Sequence, residues 1–152
     1  MLLKLRQRLA SEESGFTLVE LLVVMLIIGL LAAIAIPAFF NQREKAKDSS
    51  AKEMARTSET SMETYATDNN GVYTAAAPAA LSNIEPTIQT ANNNKDPWLS
   101  GASSAAPNTY TLTVTSQTAN TFTIARGANS VVTFSCTVQG KNGCPSSGDW
   151  AH

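Results

Sequence analysis

The chain has 152 residues, a length typical of one domain, and its 11 basic and 12 acidic residues give a formal net charge of −1. This balance gives no support to a dedicated nucleic-acid surface, which would need clustered Lys and Arg. Hydrophobic residues make up 43% of the chain, but many of them lie within residues 16–40, and the remainder is rich in Thr, Ser, Asn and Ala. The composition therefore predicts an apolar segment joined to a polar domain.

Residues 16–40 read FTLVELLVVMLIIGLLAAIAIPAFF and predict a membrane-spanning or export helix. The part from Leu21 to Phe40 carries no charge over 20 residues, and a spanning helix needs about 20. Three basic residues precede it: Lys4, Arg6 and Arg8. By the positive-inside rule, these residues keep the N-terminus cytoplasmic. The alternative is a cleaved secretory signal peptide, with Ala33-Ile34-Ala35 as its cleavage site, although such peptides have shorter apolar cores.

Glu20 is the only ionisable residue between Gly15 and Arg43. A charged side chain at the centre of a bilayer costs about 2.5–3.5 kcal/mol, so this carboxylate predicts a partner. If the chain began at Phe16, the amine and the first free N–H groups of the helix would attract a carboxylate. Such a pair between two copies would define their register. The alternatives are a protonated acid within the bilayer and a residue at the membrane interface.

The stretch from Gly15 to Val24 reads GFTLVELLVV and resembles the class III signal of type IV pilins and the related pseudopilins of type II secretion. The resemblance implies that a prepilin peptidase removes a leader, residues 1–15, by cutting between Gly15 and Phe16. It further implies that the new Phe16 amine is N-methylated and that the apolar helix is retained. Glu20 matches the family's glutamate, which is associated with the N-terminal amine of a neighbouring subunit in the filament. These steps would turn a signal into an assembly element.

Gly29 and Pro37 are the two breaks in the apolar segment. Proline inside a helix removes a hydrogen bond, costs about 3 kcal/mol and usually kinks the helix. The pilin resemblance implies that the stretch between these residues loses helicity in an assembled filament. The alternative is a mild bend.

Residues 41–70 predict an amphipathic continuation of the helix. Its apolar stripe consists of Ala51, Met54, Ala55, Met62, Tyr65 and Ala66. Most charged residues of the segment, among them Asp48, Glu59 and Glu63, are assigned to a solvated face or a subunit contact. Asn69-Asn70-Gly71 predicts the end of the helix.

Residues 71–108 predict a connecting loop with one short helix near Ala79–Ile84. Residues 109–152 predict an antiparallel meander of three strands followed by a cysteine loop. The apolar residues that alternate along these strands are Tyr110, Leu112, Val114, Phe122, Ile124, Val132, Phe134, Cys136 and Val138. A sheet covered by the helical stripe gives an α+β fold, which is also the fold that the pilin resemblance implies.

The only cysteines, Cys136 and Cys144, lie beyond an export or membrane signal and are predicted to form a disulfide. In many pilins a C-terminal disulfide bounds a variable surface loop, which would here expose Lys141 and Asn142. The alternative is a purely structural clip. Two cysteines and the single histidine, His152, do not make a four-ligand metal set, so neither metal nor cofactor is predicted. No phosphate loop or nucleophile elbow occurs in the sequence, and we do not expect an enzyme.

The resemblance implies a structural subunit of a type IV pilus that serves adhesion, motility or DNA uptake. Its partners would be copies of itself, the prepilin peptidase, the inner-membrane pilus assembly machinery and, before assembly, membrane lipid; DNA binding is unsupported by the charge. It would cross the bacterial cytoplasmic membrane once before assembly and be extracellular afterwards. The first alternative is a pseudopilin of a secretion or competence system, which the stretch from Tyr65 to Tyr73 also resembles, although major pseudopilins often lack cysteines and use a calcium site. The second is a membrane-tethered extracellular binding module.

Overall fold

The computed structural model describes residues 15–151. The chain divides between Phe39 and Phe40 into two compact units. One helix, α1 (Leu18–Asp68), runs for 51 residues through this boundary. It is the one helix among the described residues that is long and apolar enough to cross a membrane.

In the first unit, the large apolar side chains of α1 are exposed all around the helix, from Leu18 at 72% to Phe39 at 66%. Helix α1 continues past Gly29 and Pro37 without an interruption. Because Pro37 has no N–H group, the carbonyl of Ala33 lacks its usual donor there. The loss of helicity on assembly remains a prediction, since it concerns the filament.

Helix α1 ends at the predicted position. Gly71 has a φ of +79°, and its N–H donates to the carbonyl oxygen of Ala66 at 2.7 Å. Asn70 also has a positive φ, of +58°. The bond from Gly71 to Ala66 closes the last turn, and Asn and Gly are the residues that adopt the left-handed conformation most readily at a helix end. The short helix α2 (Pro78–Ile84) follows, also where the sequence predicts it.

The second unit contains a four-stranded antiparallel sheet in the order β1-β2-β3-β4. Its strands are β1 (Trp98–Ser103), β2 (Tyr110–Thr115), β3 (Thr121–Arg126) and β4 (Val132–Cys136). Strand β1 corrects the sequence analysis, which assigned this part of the chain to the connecting loop. The sequence of β1, WLSGAS, does not alternate, and its pairing with β2 shifts register between Leu99 and Gly101. Strand β4 ends two residues before the predicted Val138.

The core lies between the sheet and the predicted stripe of α1. Four stripe residues are buried: Ala51, Ala55, Met62 and Ala66. Met54 and Tyr65 are partly buried against them. From the sheet, Leu112 and Ile124 pair across β2 and β3, and both are fully buried. The prediction of an α+β fold with a helix packed on an antiparallel sheet is confirmed.

Candidate functional site

Thr17 and Glu20 form a capping box at the start of α1. The N–H and the hydroxyl of Thr17 both donate to Oε2 of Glu20, each at 2.9 Å. In return the N–H of Glu20 donates to Oγ1 of Thr17 at 3.2 Å. The carbonyl of Thr17 accepts the first helical bond, from the N–H of Leu21. Thr17 is therefore the N-cap, and Glu20 is the third residue of the helix.

Within the subunit, this geometry gives Glu20 a local partner that the sequence analysis did not name. The signal was present, since a Thr followed three residues later by Glu before an apolar run is the usual signature of a capping box. Phe16, immediately before the cap, is 80% exposed, and Gly15 has open space around it. Cleavage between Gly15 and Phe16, methylation of Phe16 and the role of Glu20 in assembly remain predictions.

A second cluster lies within the second unit, around Asp48 of α1. Asp48 is fully buried, which corrects its assignment to a solvated face. Its Oδ1 accepts hydrogen bonds from the hydroxyls of Ser116 at 2.7 Å and Thr118 at 2.5 Å. Its Oδ2 accepts from the side-chain amide of Asn120 at 3.2 Å and from the N–H of Gly143 at 3.0 Å. We call these five residues the Asp48 cluster.

The Asp48 cluster joins three parts of the second unit. Ser116, Thr118 and Asn120 belong to the turn between β2 and β3. Asn120 also accepts hydrogen bonds through Oδ1 from the hydroxyl of Thr137 and the N–H of Val138, both at 3.0 Å. Gly143 lies in the loop closed by the disulfide. The helix, the turn and the loop are therefore fixed to one carboxylate.

The structure joins Cys136 to Cys144 by a disulfide. Cys136 ends β4, and both cysteines are buried. The loop between them exposes Lys141 and Asn142 on the isolated subunit, and their exposure on a filament remains a prediction. Gly143 lies in this loop, and its N–H donates a hydrogen bond to Asp48. The loop is therefore also bound to the helix.

A third cluster, the Tyr110 cluster, consists of Glu59, Glu63, Tyr73, Tyr110 and Arg126. It connects α1 to the end of the sheet at which β2 begins and β3 ends. Glu63 accepts hydrogen bonds from the hydroxyls of Tyr73 at 2.7 Å and Tyr110 at 3.2 Å. It also forms an ion pair with Arg126 at 3.1 Å. Burial is the main cause that raises the pKa of Glu59, whose Oε1 lies 3.4 Å from the Tyr110 hydroxyl. Burial and the two carboxylates raise the pKa of Tyr110 as well.

Two cations of α1 lie over aromatic rings of the sheet and the C-terminal tail. Lys52 Nζ is 5.6 Å from the centre of the Phe122 ring, and the Arg56 guanidinium is 5.3 Å from the Trp150 ring. Partial burial lowers the pKa of Lys52, and the nearby Asp48 opposes this effect. Trp150 is buried and donates to the carbonyl of Ser135 at 2.9 Å. Phe122 and Trp150 both belong to the buried core.

The described residues, 15–151, include no group of three or more His, Cys, Asp and Glu side chains placed to hold a metal ion. Asp48 and Glu63 instead accept hydrogen bonds from hydroxyl, amide and guanidinium groups, as in the two clusters above.

Comparisons with known proteins agree with the N-terminal geometry. Residues 11–36 match the prokaryotic N-terminal methylation motif. The chain is 30% identical to type II secretion system core protein G of Pseudomonas aeruginosa over 86 residues, which is 57% of each chain. It is 51% identical to the type IV major pilin protein PilA of Myxococcus xanthus over 45 residues, covering 30% of this chain and 20% of the relative.

A third relative, the type IV major pilin protein PilE of Neisseria gonorrhoeae, is 35% identical over 77 residues, or 48% of this chain and 46% of the relative. The chain thus spans at most about three fifths of the first relatives it matches. No solved structure matches it. The resemblance to type IV pilins and type II secretion pseudopilins, stated on residues 15–24, is confirmed.

Proposed function

We propose that this protein is a structural subunit of a type IV pilus, cut after Gly15 by a prepilin peptidase, methylated at Phe16 and polymerised through α1. The proposal rests mainly on the sequence and structure of the N-terminal segment. A methylation motif leads into an apolar helix exposed on every side, with a single carboxylate, Glu20, in its first turn. The subunit crosses the cytoplasmic membrane before assembly and is extracellular in the filament.

The exposed apolar surface supports polymerisation. A soluble monomer rarely shows a contiguous apolar patch of this extent, so the helix needs a membrane or other helices around it. A bilayer covers it before assembly, and copies of the same helix cover it in the filament. Contacts that repeat head to tail generate an open helical filament.

The capping box gives Glu20 two successive roles in this proposal. Before assembly, the N–H and hydroxyl groups of Thr17 satisfy its carboxylate locally. Removal of the leader creates a positive amine at Phe16, one residue before the cap. In the filament, the amine of one subunit then faces the Glu20 carboxylate of its neighbour. The apolar surroundings strengthen the attraction between the two charges, and the pair fixes the register of the neighbouring helices.

The test combines mass spectrometry with electron microscopy in the native host. Sheared surface filaments should contain this chain beginning at an N-methylated Phe16. Glu20→Ala and Glu20→Gln should insert into the membrane normally and form no filaments. The matched control is Glu53→Gln, on an exposed part of the same helix, which should assemble normally. Normal filaments from both Glu20 variants would remove Glu20 from assembly, and an N-terminus near Ile36 would overturn the pilin proposal altogether.

The second candidate function is a pseudopilin of a type II secretion system. The observation that favours it is alignment length, because the matches to core protein G reach 65% of a relative's chain, whereas those to the type IV major pilins named above cover 20% and 46%. Deletion of the gene separates the candidates. A pilin deletion should abolish surface filaments and leave protein secretion intact, whereas a pseudopilin deletion should stop the secretion of exported enzymes.

A further inference from the structure

A small basic cleft lies in the second unit, between α1 and the disulfide loop. It has a volume of about 360 Å³ and is lined by Asn41, Lys45, Gly140, Lys141 and Asn142. Asn41 and Lys45 are four residues apart and therefore share one face of the helix. Lys141 and Asn142 reach the cleft from the loop that the Cys136–Cys144 bond closes. The helix and the loop thus each contribute one lysine and one asparagine to the lining of the cleft.

The cleft carries uncompensated positive charge. Within residues 15–151, neither Lys45 nor Lys141 takes part in an ion pair. The two acids that flank Lys45 on α1, Glu44 and Asp48, are already engaged. Glu44 pairs with Lys47 at 2.7 Å, and Asp48 is buried with both of its oxygens hydrogen-bonded. The two amide groups add neutral hydrogen-bond donors, so the lining suits an anion with several oxygen atoms, such as a phosphate group.

The position of the cleft along the chain indicates that this phosphate belongs to a lipid headgroup. Asn41 follows Phe40, the last residue of the apolar segment. At 1.5 Å per residue, Asn41 and Lys45 lie within about 8 Å of its end. The polar headgroup layer of a bilayer is about 5–8 Å thick on each side. In a subunit seated in the membrane, the cleft therefore lies at the level of the headgroups on the outer face.

We propose that the basic cleft binds the phosphate of an anionic phospholipid headgroup while the subunit waits in the membrane. The inference rests on the membrane-inserted state of the proposed function. The disulfide and the bond from Gly143 to Asp48 hold Lys141 opposite Lys45, so they position the cleft without touching the lipid. Entry into a filament removes the subunit from the bilayer, so the lipid leaves and Lys141 becomes free for the outer surface.

The experiment places the full chain in lipid nanodiscs and records amide chemical shifts by NMR. Nanodiscs of phosphatidylcholine alone are compared with nanodiscs that also contain phosphatidylglycerol. Phosphatidylglycerol should shift the signals of Asn41, Lys45, Lys141 and Asn142, and the double variant Lys45→Gln/Lys141→Gln should lose these shifts. The matched control, Lys95→Gln, changes an exposed lysine outside the cleft and should keep them. Unchanged signals elsewhere in the sheet show that each variant is folded.

Each other outcome overturns the proposal. If phosphatidylglycerol shifts no cleft signal, or shifts it equally in the double variant, the cleft does not bind lipid. If inorganic phosphate added to phosphatidylcholine nanodiscs gives the same shifts, the cleft binds a soluble anion rather than a headgroup. The pilin proposal is judged separately, by filaments and by methylated Phe16 in cells, so its failure is distinguishable from failure of the cleft.

Discussion

The N–H of Gly143 donates to Oδ2 of Asp48 at 3.0 Å, across 95 residues of sequence. Nothing larger than glycine fits at this contact, because a Cβ on residue 143 would lie 2.5 Å from the Cβ of Asp48. The hydrogen bonds that its other oxygen accepts from Ser116 and Thr118 oppose movement of Asp48 away from the loop. The backbone of the disulfide loop thus lies directly against the Asp48 side chain of the helix, and this contact sets where the loop lies on the subunit.

Gly143→Ala should destabilise the second unit. The added methyl group must push the loop away from α1, and overpacking of this kind costs about 1–3 kcal/mol. Urea unfolding followed by tryptophan fluorescence measures the loss. Gly101→Ala is the matched control, because its Cβ would meet only Thr113 at an ordinary 3.7 Å. Equal stability of the two variants would contradict the contact.

Asp48→Ala should be more damaging than Gly143→Ala. It leaves four donors, on Ser116, Thr118, Asn120 and Gly143, without their acceptor in a buried position, which we expect to cost about 3 kcal/mol or more. Asp48→Asn keeps one acceptor oxygen and should cost less. Thermal unfolding monitored by circular dichroism gives the ranking, with the exposed Asp68→Asn on the same helix as control. A ranking in which Asp48→Ala matches Asp68→Asn would show that the cluster contributes nothing.

The disulfide and the Asp48 cluster should stabilise the fold cooperatively. Closing a loop with a sequence separation of 8 contributes roughly 2–3 kcal/mol through the unfolded chain. In Cys136→Ser/Cys144→Ser the loop loses its closure, so Gly143 no longer holds Asp48 firmly. The cost of Asp48→Asn should therefore be smaller in that background than in the oxidised protein. A double-mutant cycle on unfolding free energies measures this coupling, and strict additivity would contradict it.

Local patterns in the sequence were sufficient to predict both helices and strands β2, β3 and β4. They did not predict strand β1 or the long-range polar contacts. The stripe from Ala51 to Ala66 and the alternation of β2 and β3 follow regular periods, so the helix, the sheet and the core face could be predicted. Strand β1 has no alternation and contains Gly101 at its register shift, so its pairing depends on the neighbour β2. Asp48 lies among charged residues and looks solvated, because the donors that bury it lie 68 to 95 residues further on. The Thr17–Glu20 capping box, in contrast, could have been predicted from the three-residue spacing of Thr and Glu alone.

Glu59 should make the stability of the second unit depend on pH. Burial, with a smaller contribution from Glu63, raises the pKa of its carboxyl above the ordinary 4.5, while the Tyr110 hydroxyl and Arg56 oppose the shift. A raised pKa means that the folded state holds the proton more tightly. The favourable contribution of Glu59 is therefore complete below pH 4.5 and is lost as the pH rises through the raised value.

The unfolding free energies of the wild type and Glu59→Gln should therefore diverge as the pH rises above 4.5, with the variant gaining relative stability. Glu53→Gln, on the exposed face of the same helix, gives the background for loss of one carboxylate. If the difference between wild type and Glu59→Gln stays constant with pH while the Glu53→Gln curve behaves as expected, Glu59 is not the group responsible.

The capping and assembly roles of Glu20 should separate in two variants. Thr17→Val removes the hydroxyl that exchanges hydrogen bonds with Glu20 but leaves the charge on Glu20. The amide proton of Glu20 should then exchange about fivefold faster, the size expected for loss of one N-cap side chain, while filaments still form. Glu20→Gln keeps a side chain that can complete the box, so exchange should change little, but no filament should form because the neighbour's amine meets no charge. Hydrogen exchange in nanodiscs and electron microscopy of cells provide the two measurements, with Thr17→Ser as the control that preserves both roles. If Thr17→Val abolished filaments and Glu20→Gln retained them, capping rather than charge would be what assembly requires of this first turn.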